Sequence, residues 1–396
     1  MRACGIITEY NPFHNGHAYQ LNEAKKRSDA DVMIVCMSGN FLQRGEPALV
    51  DKWTRTRMAL RGGADIVIEL PVTFSVQAAD LFAKGGVALL QEMGCSALSF
   101  GAESGQGKAF ERAATMYAAH EKQIDHAFRE MKKERISYPR QIQQAIETVL
   151  PDFPLDLSLP NNTLGFAYAK ENTTYQQPME IFTVPRKEAE HRETHLKRES
   201  FASATAIRKG LLSASSYEEG IQKIESFVPK TTLEELADQK FYSWDDLWPL
   251  LSYQLTVQTS NQLEGIYQMM EGVEFRLKEK MEMTDSMTGF LSAVKSKRMT
   301  WARLQRLCVY TLLQFSKEEM HQKIQGPEAV HLLGFSSKGQ QYLQEQKKKR
   351  TLPFLTNIRR ENKTKWTYDI RAGEVYRMMA PHQIGPQDFY RSPIQM

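Results

Sequence analysis

Two histidines three residues apart stand near the start of the chain, within residues 11–17 (NPFHNGH). This segment follows a short apolar run and precedes a helical pattern, which predicts a turn into a helix with Asn15 as its N-cap. Free N–H groups at a helix N-terminus attract phosphate, and Gly16 allows a nucleotide to approach the backbone closely. Imidazoles placed there can donate hydrogen bonds to phosphate oxygens as negative charge develops. We therefore predict a phosphate site in which His14 and His17 are catalytic; a metal pair or two unrelated surface histidines are the alternatives.

A second segment with similar chemistry spans residues 203–208 (SATAIR). Hydroxyl side chains and free N–H groups at a helix start, followed within one turn by an arginine, are suited to binding phosphate oxygens. Taken alone, this segment is better explained as an ordinary N-capped helix. In combination with the histidine segment it predicts further phosphate ligands at Ser203, Thr205 and Arg208.

The elements that must position these residues alternate along the chain. Short, continuous apolar runs bounded by Gly, Asp or Pro are typical of buried parallel strands, and helical patterns lie between them. Strands separated by single helices form βαβ units, and the ligands of such sheets bind beyond the carboxyl ends of the strands. The sequence therefore predicts an α/β fold with a Rossmann-like parallel sheet. The predicted strands are residues 4–8, 32–37, 66–70, 97–100 and 179–184.

The second half of the chain differs in pattern and in charge. From about residue 231 helical periodicity dominates, which places a boundary within residues 212–232. Residues 291–396 contain 19 Lys and Arg against 8 Asp and Glu, a net charge of +11, whereas the whole chain carries +4. We predict a catalytic domain in residues 1–220 and a mainly helical, basic domain in residues 221–396. On charge alone, a polyanion partner and a solvated lysine-rich face explain the basic half equally well.

Composition excludes several classes of protein. The chain has 396 residues, 41% of them hydrophobic and 25% charged, which predicts a soluble globular protein with at least one full core. Its apolar runs are shorter than the ~18 residues that a membrane span needs, and no secretory signal is visible. Cys4, Cys36, Cys95 and Cys308 are scattered without a CxxC pair, which argues against a disulfide framework or a zinc site. We expect a cytoplasmic protein with no metal ligands of its own and no membrane partner.

The two phosphate segments resemble the paired motifs of the HxGH nucleotidyltransferase superfamily, whose second motif (SSTxIR) holds the β- and γ-phosphates of a nucleoside triphosphate. Further segments make the chain similar, over most of its length, to the bacterial tRNA(Met) cytidine acetate ligases. These segments are SGNFLQRGEP (residues 38–47), DKW (51–53), GGAD (62–65), ELP (69–71), SFGAE (99–103) and LPNNTLG (159–165).

The resemblance implies a specific reaction. Members of this family use ATP and acetate to make acetyl-adenylate, and they then acetylate the N4 amine of the wobble cytidine in elongator tRNA(Met). The ATP arrives with Mg²⁺, because no carboxylate cluster in the sequence has the spacing of a metal site. The ATP site that the resemblance implies comprises Ile7, Thr8, Glu9, Tyr10, Asn11, Pro12, Phe13, His14, Asn15, Gly16, His17, Gln20, Gly101, Asn162, Arg186, Ser203, Thr205 and Arg208.

A tRNA substrate gives the basic half of the chain a role, because lysine and arginine side chains contact the phosphates of a polyanion. The cations recur in several clusters between residues 295 and 365. The predicted tRNA contacts are Lys297, Arg298, Arg303, Arg306, Lys348 and Arg359.

Both motifs depart in places from the superfamily pattern. Tyr10-Asn11-Pro12 replaces the commoner Phe-Asp-Pro, which removes a carboxylate and with it a possible metal contact. Ala204 stands where many relatives have serine, so that one hydroxyl contact to phosphate is lost.

The sequence is also compatible with two other functions. The first is a small-molecule nucleotidyltransferase that transfers an adenylyl group to a phosphorylated metabolite, although such enzymes are usually much shorter and would not need a basic helical half. The second is a non-catalytic RNA-binding protein with a nucleotide pocket, against which the intact His14, Gly16 and His17 argue.

Overall fold

The computed structural model describes the chain except for residues 104, 132–137, 187–200, 238, 271, 297–298, 360, 362 and 380–386, and for residues 138–139 it describes the backbone alone. The predicted contacts Lys297 and Arg298 lie outside the described residues.

The five strands predicted from the first half form one parallel sheet. They lie in the order β5–β4–β1–β2–β3, and each neighbouring pair is parallel. Alternate side chains of these strands contribute to two separate apolar clusters, one on each face of the sheet. Because both faces of the sheet are buried, each strand is a nearly continuous run of apolar residues. The bounds are β1 Ala3–Thr8, β2 Val32–Ser38, β3 Ile66–Leu70, β4 Ala97–Ala102 and β5 Glu180–Pro185.

Helices of the first 236 residues cover both faces of this sheet. One face packs against α4, α5, α6 and α7, and the other against α1, α2, α8 and α10. The bounds are α1 Asn15–Ser28, α2 Lys52–Arg61, α3 Val72–Ser75, α4 Ala79–Glu92, α5 Gly107–Glu130, α6 Tyr138–Val149, α7 Pro160–Asn172, α8 Ala204–Leu212, α9 Tyr217–Ile224 and α10 Lys230–Leu236. The predicted α/β fold is confirmed.

The rest of the chain is mainly helical, as predicted, but it also contributes strands that the sequence did not predict. β6 pairs antiparallel with β3, and β7 and β8 both pair with β6, so the chain's last third extends the first half's sheet. The bounds are α11 Trp244–Val257, α12 Ser260–Glu264, α13 Val273–Met281, α14 Met287–Val294, α15 Trp301–Leu312, α16 Lys317–Lys323, β6 Val330–Phe335, α17 Ser337–Gln346, β7 Phe354–Leu355, α18 Thr367–Arg377, α19 Gln387–Tyr390 and β8 Ile394–Gln395.

A third apolar cluster joins the helical region to the sheet. It contains side chains of α11, α13, α14, α15 and α18 together with Phe41, Leu42 and Ala48, which lie in the loop after β2. The loop of residues 39–50 is therefore packed between the sheet and the helical region. Among the described residues, no helix is both long and apolar enough to cross a membrane.

A buried ionic cluster ties the last helices to the sheet. Lys52 of α2 lies 2.8 Å from Glu69 of β3 and 2.5 Å from Asp388 of α19, and all three side chains are almost fully buried. His331 of β6 places its Nδ1 2.6 Å from Glu69 Oε2. Burial alone would raise the pKa of Glu69, but the charge of Lys52 and the contact with His331 hold it below its usual value.

Candidate active site

The N-terminus of α1 is capped by His14, and the predicted N-cap, Asn15, is instead the first residue of the helix. His14 Nδ1 accepts a hydrogen bond from the N–H of Gly16 at 3.0 Å, and the N–H of His14 donates to His17 Nδ1 at 3.3 Å. The amide of Asn15 reaches away from the helix and donates to the carbonyl of Ser226 at 3.0 Å. The prediction for Asn15 was wrong because an imidazole nitrogen at the preceding position serves as the cap acceptor.

This capping arrangement determines the tautomer of both imidazole rings. Since each Nδ1 accepts a backbone N–H, each neutral ring carries its proton on Nε2. Burial lowers the pKa of His14 to about 3, and the charges of Arg186 and Arg208 act in the same direction. Burial also lowers the pKa of His17 well below its usual value, helped by His14, while a hydrogen bond with the backbone of Pro12 opposes the shift. Both rings are therefore neutral hydrogen-bond donors at neutral pH.

Gly16 is required by the histidine itself. A Cβ at position 16 would lie 2.8 Å from Cε1 of His14, so a larger residue would displace the ring. The rings of His14 and His17 stack with their centroids 3.7 Å apart and an interplanar angle of 23°. The small residue between the two histidines thus permits the stacked pair.

The second phosphate segment forms the start of α8 and contacts the first segment directly. Ser203 caps the helix by accepting the N–H of Ala206 at 3.2 Å. Arg208 donates through Nη1 to the carbonyl of Asn11 at 3.0 Å, and its Nη2 lies 3.3 Å from Glu46 Oε2. Both segments, almost two hundred residues apart in sequence, therefore belong to one site.

A cavity of about 380 Å³ lies between these two helix starts, beyond the carboxyl ends of the central strands. This volume lies in the range of small-molecule and cofactor sites. The predicted ATP-site residues that line it are Ile7, Thr8, Glu9, His14, Gly16, His17, Gln20, Gly101, Arg186, Ser203, Thr205 and Arg208.

The other predicted ATP-site residues are not among those that line the cavity. They are Tyr10, Asn11, Pro12, Phe13, Asn15 and Asn162. Tyr10 and Phe13 are buried with their rings edge to face, and Asn11 Oδ1 accepts the N–H of Leu49 at 2.7 Å. These side chains hold the turn that presents His14.

Asn162 is fully buried near the start of α7, where its amide donates to the carbonyl of Asp156 at 3.1 Å. Its neighbour Asn161 lines the cavity instead, and Asn161 Oδ1 accepts a hydrogen bond from Arg186 at 3.4 Å. The carboxylate of Glu103 accepts the N–H groups of both asparagines, which fixes this edge of the cavity.

The loop after β2 supplies three cavity residues that were not predicted from the sequence: Gln43, Arg44 and Glu46. Their position could have been expected, because ligands of parallel sheets bind in the loops that follow the strands. Gln43 donates its N–H to Glu9 Oε1 at 2.8 Å. Another part of the cavity lining is largely apolar and includes Phe82, Phe100, Leu164 and Tyr168.

The described tRNA candidates lie at different places on the molecule. Lys348 and Arg359 are exposed, and Arg303 lies partly exposed on α15. Arg306, also on α15, donates to the carbonyl of Gln43 at 3.3 Å, and burial lowers its pKa. Arg306 thus holds the loop after β2 through a backbone carbonyl.

No group of three or more His, Cys, Asp or Glu side chains within the described part of the chain is arranged to hold a metal ion. The four cysteines are buried and unpaired.

The chain is similar in sequence to known proteins over its whole length. A family model described as HIGH Nucleotidyl Transferase matches residues 1–390. The tRNA(Met) cytidine acetate ligase of Lysinibacillus sphaericus (strain C3-41) is 39% identical over 407 residues, with all of both chains covered. The protein of the same name from Geobacillus sp. (strain WCH70) is 43% identical over 360 residues, which cover 90% of this chain and 89% of the relative.

Structure comparison gives the same extent of similarity. The fold matches the crystal structure of apo Thermotoga maritima TmcAL with a TM-score of 0.92 and 30% identity, covering all of both chains. It matches TmcAL bound with alpha-thio ATP with a TM-score of 0.90, covering 100% of this chain and 99% of that one. The similarity therefore extends over the whole chain in sequence and in fold.

Proposed function

Because the chain belongs to the HIGH nucleotidyl transferases and, among them, to the tRNA(Met) cytidine acetate ligases, we propose that it is an ATP-dependent acetate ligase acting on tRNA. It forms acetyl-adenylate from acetate and ATP and then acetylates the N4 amine of the wobble cytidine of elongator tRNA(Met). The observation that carries this proposal is the meeting of both phosphate segments at one cavity, joined by the bond from Arg208 to the Asn11 carbonyl.

Adenylation requires charge stabilisation more than proton transfer. Acetate is ionised at neutral pH and attacks the α-phosphorus without help from a base. The bond between the α-phosphorus and pyrophosphate breaks, and negative charge grows on the phosphate oxygens. The Nε2–H group of His14, with His17 stacked against it, donates to those oxygens, while Ser203, Thr205 and Arg208 bind the outer phosphates.

Any Mg²⁺ ion would arrive bound to the phosphates of ATP, where it would neutralise part of their negative charge. Mg²⁺ commonly binds proteins through substrate phosphates with few protein ligands. The cavity lining supports this proposal, because the two carboxylates among its described residues, Glu9 and Glu46, already have partners in Gln43 and Arg208.

The second half of the chain holds the tRNA in this proposal, with residues 1–220 as the ATP-binding catalytic domain and residues 221–396 as the tRNA-binding domain. The net charge of +11 in residues 291–396 supports it, since phosphate contacts supply most of the affinity for nucleic acids. Arg306 on α15 contacts the cavity loop at Gln43, which gives the helical region a direct connection to the site.

The test is product analysis with purified protein, ATP, labelled acetate and unmodified elongator tRNA(Met). We expect N4-acetylcytidine at the wobble position, with one AMP and one pyrophosphate released for each acetyl group transferred. Release of ADP and phosphate, or label at another nucleotide, would contradict the proposal. Transfer of AMP to a phosphorylated metabolite would identify a small-molecule nucleotidyltransferase instead.

A further inference from the structure

Glu9 is one of two carboxylates, with Glu46, among the described residues that line a cavity otherwise suited to phosphate. Glu9 follows β1 directly and lines the cavity, and its Oε1 accepts the N–H of Gln43 at 2.8 Å. The backbone there is fixed as well, because buried Arg55 donates to the carbonyl of Glu9 at 2.7 Å and to that of Ser38 at 3.0 Å. A negative group repels triphosphate, so this rigidly held carboxylate needs another explanation than ATP binding.

The surroundings of Glu9 make it a weaker acid than usual. Burial raises the pKa of its carboxyl group, and the hydrogen bond from Gln43 and the charge of Arg208 only partly oppose the shift. The charged and titratable groups that face it come from α2, α7, α8 and the loop after β2: Arg55, Tyr168, Arg208, Arg44 and Glu46.

The adjoining wall is suited to a flat, uncharged group. Phe82, Phe100 and Tyr168 line the cavity and are almost fully buried. Tyr168 is an electrostatic neighbour of Glu9, since burial and then the charge of Glu9 raise the pKa of its phenol. A carboxylate beside aromatic rings can accept a hydrogen bond from an amine of a stacked base.

We propose that Glu9 is the general base of acetyl transfer, accepting a proton from the exocyclic amine of the cytosine as that nitrogen attacks the acetyl carbon. This inference rests on the proposed function. The nitrogen–carbon bond forms and the bond between the acetyl carbon and the AMP oxygen breaks. AMP leaves with that electron pair, and the proton ends on a carboxylate oxygen of Glu9, from which it passes to water.

Other groups of the cavity are less suited to this role. The two histidines already carry protons on Nε2, and their lowered pKa opposes a second proton. Glu46 is paired with Arg208 at 3.3 Å, and its other oxygen lies 3.5 Å from Nε2 of Gln305. Among the described residues that line the cavity, Glu9 and Glu46 are the two carboxylates, which leaves Glu9 as the base.

The experiment separates the two steps in the full-length protein. The first rate is acetate-dependent exchange of labelled pyrophosphate into ATP without tRNA, and the second is single-turnover acetyl transfer to elongator tRNA(Met). The variants are Glu9→Gln, Glu9→Asp and the matched control Glu46→Gln, which also removes one negative charge from the cavity.

We expect Glu9→Gln to slow transfer by about 10² to 10³-fold and exchange by less than about tenfold, and Glu9→Asp to recover part of the transfer. Wild-type transfer should accelerate with pH through a pKa above the usual glutamate range, and Glu9→Gln should abolish this dependence. Glu46→Gln should change both rates by a similar factor.

Equal losses of the exchange rate and the transfer rate in Glu9→Gln would overturn the inference. Glu9 would then maintain the structure of the cavity for both steps and would have no specific role in acetyl transfer. Transfer at the wild-type rate would overturn the inference too, since the proton would then leave by another route, such as the departing AMP phosphate. A wild-type protein without acetate-dependent exchange would refute the proposed function itself, which is a distinguishable result.

Discussion

His14 combines two functions that depend on each other. One ring nitrogen caps α1 by accepting the N–H of Gly16, and this leaves the proton on the other nitrogen, whose N–H can donate a hydrogen bond to a phosphate oxygen. The sequence predicts which residues meet the phosphate but not their protonation. That property depends on burial and on the charges of Arg186 and Arg208, which come from distant parts of the chain.

The lowered pKa values of His14 and His17 predict a pH-dependent stability. Below their ordinary pKa of about 6.5, the unfolded chain binds protons that the folded protein does not, so the free energy of unfolding decreases as the pH falls. The contribution is fully present above about pH 6.5 and is lost as the pH falls towards 3, the value to which the pKa of His14 is lowered.

Urea unfolding between pH 7.5 and 5 measures this effect. His14→Asn, which keeps a side-chain cap acceptor, should show a smaller decrease in unfolding free energy over that range than the wild type. His126→Asn, a change at an exposed position of α5, is the control and should keep the wild-type slope. A slope that His14→Asn leaves unchanged would show that the histidine pair is not the cause.

At the scale of elements, the parallel sheet was predictable and its extension was not. β1 to β5 are apolar runs separated by helices, and this pattern identifies a parallel sheet without further information. β6 is also a short apolar run, but it stands between α16 and α17 in a helical region, where periodicity does not separate a strand from a buried helix segment. β7 and β8 have two residues each and exist only through pairing with β6.

The buried ionic cluster around Lys52 should stabilise the packing of β6 and α19 against the sheet. Lys52→Met removes the cation and leaves Glu69 and Asp388 buried without their shared partner. We expect the free energy of unfolding to fall by about 3–5 kcal/mol.

Urea unfolding checks this prediction. The control is Lys25→Met, which removes a more exposed lysine 3.8 Å from Asp65 and should change the unfolding free energy by at most ~0.5 kcal/mol. A loss below about 1 kcal/mol in Lys52→Met would mean that the cluster contributes little to holding the strands together.

At the scale of the whole molecule, the cavity between the two helix starts is lined by residues between 7 and 208, and the positive charge is concentrated in residues 291–396. Motifs and charge are local properties, so the sequence alone predicts a phosphate site and a basic region. It did not predict that the loop after β2 lines the cavity and also packs on α15, since that contact joins Gln43 to Arg306, 263 residues apart.

The basic region predicts steep salt dependence of tRNA binding. Each phosphate contact releases counterions, so the logarithm of the association constant should fall linearly with the logarithm of the salt concentration. Lys348→Gln should lower the magnitude of that slope by about one, as expected for one lost phosphate contact.

Filter binding at several salt concentrations measures the slope. Lys122→Gln, at an exposed position of α5, is the matched control and should leave it unchanged. A flat dependence in the wild type would contradict the assignment of the basic region to tRNA.

The most direct test of the account is exchange of labelled pyrophosphate into ATP by the purified protein without tRNA. We predict exchange that requires acetate, that falls by about 10² to 10³-fold in His17→Ala and that persists in His126→Ala. Exchange that ignores acetate but responds to a phosphorylated metabolite would contradict the account. So would the absence of exchange with any carboxylic acid in a protein that still binds tRNA tightly.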